Sequence, residues 1–158
     1  MCINSKQISI PKKIFVHGCL GNPINRIGLP ETAIVHYKYT NYAYVPETGE
    51  VYSRYNGGYV WKPRKLQKDK NGYMKISLYD KNACWGFSVH VFAVQCMTKK
   101  PIPEGHEVDH IEGNRDDNRW HMLRTAPRRL NFWNKMLPAG YMVVEIEEWR
   151  KLNNGFQV

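Results

Sequence analysis

The chain has 158 residues, room for one compact domain or two small modules but not for a large multidomain assembly. Hydrophobic residues at 42% and aromatics at 13% exclude a disordered tail, and no apolar stretch approaches the roughly 20 residues of a membrane-spanning helix. Lys and Arg number 23 against 14 acidic residues, and the resulting net charge of +9 favours a polyanion such as nucleic acid, because each cation that meets a phosphate releases a condensed counterion.

The opening MCINSKQISIPKK has no apolar run of the secretory kind, so a cytoplasmic protein is expected. Cys2, Cys19, Cys84 and Cys96 form no C-x-x-C pair, which predicts reduced thiols and no structural zinc. Residues 1–40 scatter Gly and Pro without a sustained period and predict an irregular N-terminal arm. From 41 to 84 the text changes to short runs rich in Tyr, Val and Ile, cut by PETGE, NGG and NG, which predicts an antiparallel strand module. In YMKISLYD, Met74, Ile76 and Leu78 alternate with Tyr73, Lys75, Ser77 and Tyr79, so one face meets a core and Lys75 lies on the open one. Arg54, Lys62, Arg64, Lys65 and Lys75, interleaved with Tyr and Trp, suit contact with a nucleic-acid backbone; an ordinary solvated face is the alternative.

GFSVHVFAVQCM then passes from strand-like to helix-like, and Pro101 closes it. The segment that follows, HEVDHIEGNRDDNRWHMLRTAPRRLNFWNK, predicts a strand over residues 107–111, a polar loop to 118, a return strand over 121–125 and a helix from about Pro127. Asp109 and His110 are adjacent, so an extended strand turns them to opposite faces, one free to bind a metal and the other to address substrate. Residues 137–158 have mixed charge and predict a C-terminal packing segment.

Val89, His90 and Val94, then Pro103, Gly105, Glu107 to Ile111, Gly113 and Asn114, then Asn118, Arg119 and Leu123 together resemble the HNH endonucleases of the His-Me finger class, especially phage homing nucleases. The resemblance covers roughly residues 42–135 and implies an α+β fold: the short-stranded antiparallel module, then a ββα-metal unit over 85–136. It makes His110 the general base, Asp109 a metal ligand and Asn131 the second, with Asn134 in reserve on nearly the same helical face. Hard oxygen donors suit one Mg or Mn ion, and a neutral imidazole suits proton abstraction near pH 7. The family's Asn before the return-strand Leu is replaced by Met122, which leaves Asn118 or His121 to tie the loop; His90 is expected to pack and bond that loop. Arg115, Arg119, Arg124, Arg128 and Arg129 crowd the site and are expected to position double-stranded DNA, with ion pairs to Glu112, Asp116 and Asp117 as the alternative for one or two. His17, His36, His106 and His121 carry no spacing argument. No membrane or small-molecule cofactor is expected, and a monomer is. Met122 motivates the competing expectation, a DNA-binding regulator whose catalysis has decayed.

Overall fold

Short runs of β-branched and aromatic residues, broken where turn residues fall, make the first sheet. The computed structural model describes residues 26–55, 58–80 and 83–138; the expectations for residues 1–25 and 139–158 lie outside them. Among the described residues, β1 (Ile34–Val35), β2 (Tyr42–Tyr44), β3 (Val51–Ser53) and β4 (Lys62–Pro63) form an antiparallel sheet in that order. The turn between β2 and β3 closes through Val45 N–H to the Glu50 carbonyl and Gly49 N–H to the Val45 carbonyl, with Gly49 at a φ of +76° that suits glycine. Ile34–Val35 falls within the stretch predicted to be irregular. Pairing of Val35 with Ala43, and the stacking of buried His36 on Phe92, tie it to the body.

A second sheet holds β5 (Gln67–Lys68), β6 (Met74–Asp80) and β7 (Ala83–Ser88). The alternation in β6 is as predicted, with Ile76 and Leu78 buried and Tyr79 exposed. Lys75 is less open than expected: its Nζ donates to Ser88 Oγ at 2.6 Å and stands 3.7 Å from Asp69. The predicted module boundary at 84/85 cuts through β7, where Cys84 pairs with Tyr79.

α1 (Val89–Thr98) follows directly and ends where Lys99 turns left-handed at φ 57°. Val89, His90, Phe92, Ala93, Val94 and Cys96 are buried, so apolar contact surrounds most of the helix. It packs against β1, β2, β6 and β7, and also against the hairpin of β8 (His106–His110) and β9 (Leu123–Pro127). One core therefore runs from Tyr44 and Val51 through Phe92 to Val108 and Leu123. The return strand begins two residues later than predicted because Met122 N–H bonds the Arg119 carbonyl and closes a 3₁₀ turn over Trp120–Met122. Pro127 ends β9, and α2 (Arg128–Asn134) starts after it.

Candidate active site

The β8–β9 register sets Asp109 opposite Arg124 and His110 opposite Leu123. Alternation along β8 puts Glu107 and Asp109 on one face. α2 packs on this hairpin and brings Asn131 and Asn134, three residues apart, to the two acids. Asn131 Nδ2 donates to Glu107 Oε2 at 2.8 Å, and Asn134 Nδ2 donates to Asp109 Oδ2 at 2.8 Å. Arg124 Nη2 and Nε stand 3.2 and 3.4 Å from the same Asp109 oxygen, while Arg128 Nε lies 3.3 Å from Glu107 Oε1. The asparagine hydrogen-bonded to Asp109 is thus Asn134. Asn131 meets the neighbouring acid instead, and its Oδ1 is buried with no hydrogen-bond partner among the described residues.

His110 is 5% exposed and packs among rings. Its centroid lies 5.1 Å from His90 and 6.0 Å from Tyr73, and those two rings are 5.1 Å apart. Three elements therefore hold the imidazole: the turn into β6, the first turn of α1 and the end of β8. Burial lowers the pKa of His110 from its ordinary value, opposed by the Asn118 side chain and the charge of Asp109. The imidazole is neutral at pH 7, and its Nε2 has no hydrogen-bond partner among the described residues. Burial and then the charge of His110 bring His90 down to about 4. The His90 ring packs on that of His110, and its Nδ1 is buried with no hydrogen-bond partner among the described residues.

The loop after His110 is tied by other groups. Asn118, 3% exposed, donates from Nδ2 to the Asp116 carbonyl, and its own carbonyl accepts the Tyr44 hydroxyl. Arg119 forks onto Asp117 at 2.8 and 2.5 Å and holds that carboxyl down at about 2. Arg115 lies 4.8 Å over the Tyr73 ring and donates to the Asn71 carbonyl at 2.6 Å. Of the five arginines, Arg119, Arg124 and Arg128 thus have carboxylate partners, more than the one or two allowed for, and Asp109 and Glu107 are partners that sequence spacing did not suggest. Arg129 is exposed on α2. Farther away, Arg54 lies 5.0 Å over the Trp61 ring, Lys62 and Lys65 are exposed, and Arg64 is half-buried.

Asp109, His110, Tyr73, Glu112, Arg115, Asn134 and Lys135 line one cleft of about 270 Å³. A carboxylate on one side and a neutral imidazole on the other, with arginines nearby, can orient a phosphodiester and remove a proton from water. The Asp109 carboxylate in this cleft is an oxygen donor of the kind Mg or Mn takes, whereas Asn131, whose Oδ1 has no partner among the described residues, lines a neighbouring cleft with Glu107 and His90. Sequence reasoning passed over Glu107, Tyr73 and Tyr44. The two-residue offset of Glu107 from Asp109 was a usable signal; for the tyrosines, which come from β2 and the turn into β6, there was none.

An antiparallel strand module leading into a strand–loop–strand–helix unit that carries Asp109 and His110 defines a nuclease class: residues 88–131 match the family described as HNH endonuclease, and the chain belongs to it. Among its relatives is the DNA endonuclease I-HmuI of Bacillus phage SP01, 33% identical over 116 residues, which are 73% of this chain and 64% of that protein. The chain therefore spans slightly less than two thirds of that relative's length. A solved structure on DNA binding and cleavage by the HNH homing endonuclease I-HmuI superposes with a TM-score of 0.54 at 29% identity, covering 77% of this chain and 67% of that one. The predicted α+β architecture is borne out. Among the described residues no helix is long and apolar enough to cross a membrane.

Proposed function

We propose that the chain is a DNA endonuclease of the phage homing or competition type, which hydrolyses phosphodiesters with one Mg or Mn ion held by Asp109 and Asn131. The observation that carries this reading is the neutral imidazole of His110, its Nε2 without a hydrogen-bond partner among the described residues, in the cleft that Asp109 lines. With its proton on Nδ1, His110 offers Nε2 to a water attacking in line with the scissile bond. That atom is buried in the free chain, so side chains around it must shift to admit the attacking water. Asp109 would hold the cation, with the Asn131 Oδ1 as the second ligand, and the ion would supply charge neutralisation at the phosphoryl oxygens. Arg115 and Lys135 in the cleft wall, with exposed Arg129 on α2, hold the DNA backbone.

Incubating the full chain with supercoiled plasmid and with Bacillus phage DNA, in Mg and in Mn, tests this. The expected result is metal-dependent cutting that His110→Ala removes while DNA binding persists. Binding with no cutting of any substrate would instead support the regulator, to which Met122, buried and without an amide, gives its motive.

A further inference from the structure

The loop from His110 to the 3₁₀ turn ends against a hairpin that belongs to the other sheet. Tyr44, fully buried on β2, donates its hydroxyl to the Asn118 carbonyl at 2.7 Å across 74 residues of sequence. Burial also pushes the Tyr44 pKa up, so the group is a permanent donor at any working pH. Trp120 N–H donates to the Pro46 carbonyl at 2.9 Å. Gly49 presses so close that a β-carbon there would stand 2.8 Å from the carbonyl carbon of Asn118. The same loop starts at His110, whose carbonyl accepts the Gly113 N–H at 2.9 Å, and Ile111 N–H bonds the Met122 carbonyl at 2.9 Å. Met122, the buried residue just before β9, has no side-chain group able to do this tying.

We propose that Tyr44 is a positioning residue for His110: its hydroxyl fixes the Asn118 peptide, and with it the closing end of the loop, to the β2–β3 hairpin. This rests on the nuclease reading for its catalytic consequence but not for the tie itself. The hairpin thereby contributes to the active site from outside the residues that match the nuclease family. A loop held at its far end constrains the segment that leaves His110, while a loop released there moves without disturbing the pairing of β8 with β9.

Tyr44→Phe in the full chain removes the tie and keeps the ring. Tyr42→Phe is the matched control, since that buried hydroxyl lies on the same strand and accepts the Tyr79 N–H at 2.7 Å, away from the loop. Amide hydrogen exchange should quicken at least 10-fold at Asp117, Arg119 and Trp120 in Tyr44→Phe and change less than two-fold there in Tyr42→Phe. On cleavable DNA, kcat should fall at least 10-fold in Tyr44→Phe with KM within two-fold. Unchanged loop exchange in Tyr44→Phe, or equal acceleration over the whole chain in both variants, overturns the proposal. Should Tyr44→Phe not fold, the wild type decides: the Trp120 amide opening at the same denaturant concentration as the β2–β3 amides supports the tie, and its opening while the hairpin stays protected refutes it. Exchange reads the tie even in a chain that cuts nothing, so its failure and that of the nuclease reading are seen separately.

Discussion

Two asparagines, one helical turn apart, compete for one role at the Asp109 site. Asn134 Nδ2 is a donor to the carboxylate, which orients Asp109 but supplies no oxygen through that bond, whereas Asn131 has a buried oxygen with no hydrogen-bond partner among the described residues. Asn131→Ala is therefore expected to raise the Mg concentration for half-maximal cutting at least ~10-fold, the usual loss when a ligand set is disturbed, and Asn134→Ala only a few-fold. The reverse order in a Mn titration of the two variants would move the ligand to position 134. The buried histidines add a pH signature. His90 is held at about 4, below its ordinary 6.5, so the folded state takes up its proton later than the unfolded state does. Its contribution is complete above pH 6.5 and is lost as pH falls towards 4, at about 1.4 kcal/mol per pH unit and roughly 3 kcal/mol in all. Asp117, lowered to about 2 by Arg119, loses its contribution only below about pH 4, so the two windows separate. Urea midpoints measured at intervals from pH 7 to pH 4 should decline, and His90→Gln should flatten part of that decline, the rest coming from His36 and His110, which burial also lowers; an equally steep decline in the variant would contradict the assignment.

At the scale of elements, α1 joins what the sequence divides. Phe92 is fully buried, stacks on His36 at 4.8 Å and meets Phe87 edge-on, and its core cluster runs from β2 to β9. Phe92→Ala should cost about 4 kcal/mol, and because both sheets share its contacts, circular dichroism and tryptophan fluorescence should report the same shifted midpoint. Separate midpoints would mean two independently folding modules. What was legible beforehand was local: the alternation of Met74 to Tyr79, the loop after His110 and the helix carrying both asparagines follow from period and turn chemistry. What was not legible depends on long-range packing. Ile34–Val35 is a strand only because Ala43 and Tyr44 are there to pair with it, and the amide that reaches Asp109 depends on how α2 lies over β8. The spacing of 131 and 134 allows either amide, so sequence could name the pair and not the order. Met122 pointed to a missing tie, while the hydroxyl that supplies one lies 74 residues from its acceptor, on a strand with no motif to mark it.

For the whole molecule, a net charge of +9 is spread unevenly. Around the cleft, Arg119, Arg124 and Arg128 have carboxylate partners and Arg115 donates to a backbone carbonyl, so their fork geometry is partly used within the fold. Lys75 is likewise held between Ser88 and Asp69. At the β4 edge, by contrast, Lys62 and Lys65 are exposed beside half-buried Arg64, with exposed Tyr59 and Val60 just before them. If that edge tracks a DNA backbone, each cation there displaces about one counterion, and the logarithm of affinity falls with the logarithm of salt by about 0.9 per phosphate contacted. Replacing Lys62, Arg64 and Lys65 together with Ala should lower the salt slope by about 2 to 3 and weaken binding to all DNA sequences alike. Lys75→Ala, drawn from the cations already engaged, should change the slope by much less than one. Filter binding or fluorescence anisotropy between 50 and 200 mM salt, on the order of the range where such contacts dominate, measures both. An unaltered slope in the triple variant would take the β4 edge out of the interface and leave the arginines of the cleft to open their internal pairs when DNA arrives, a cost that would then appear as slow association.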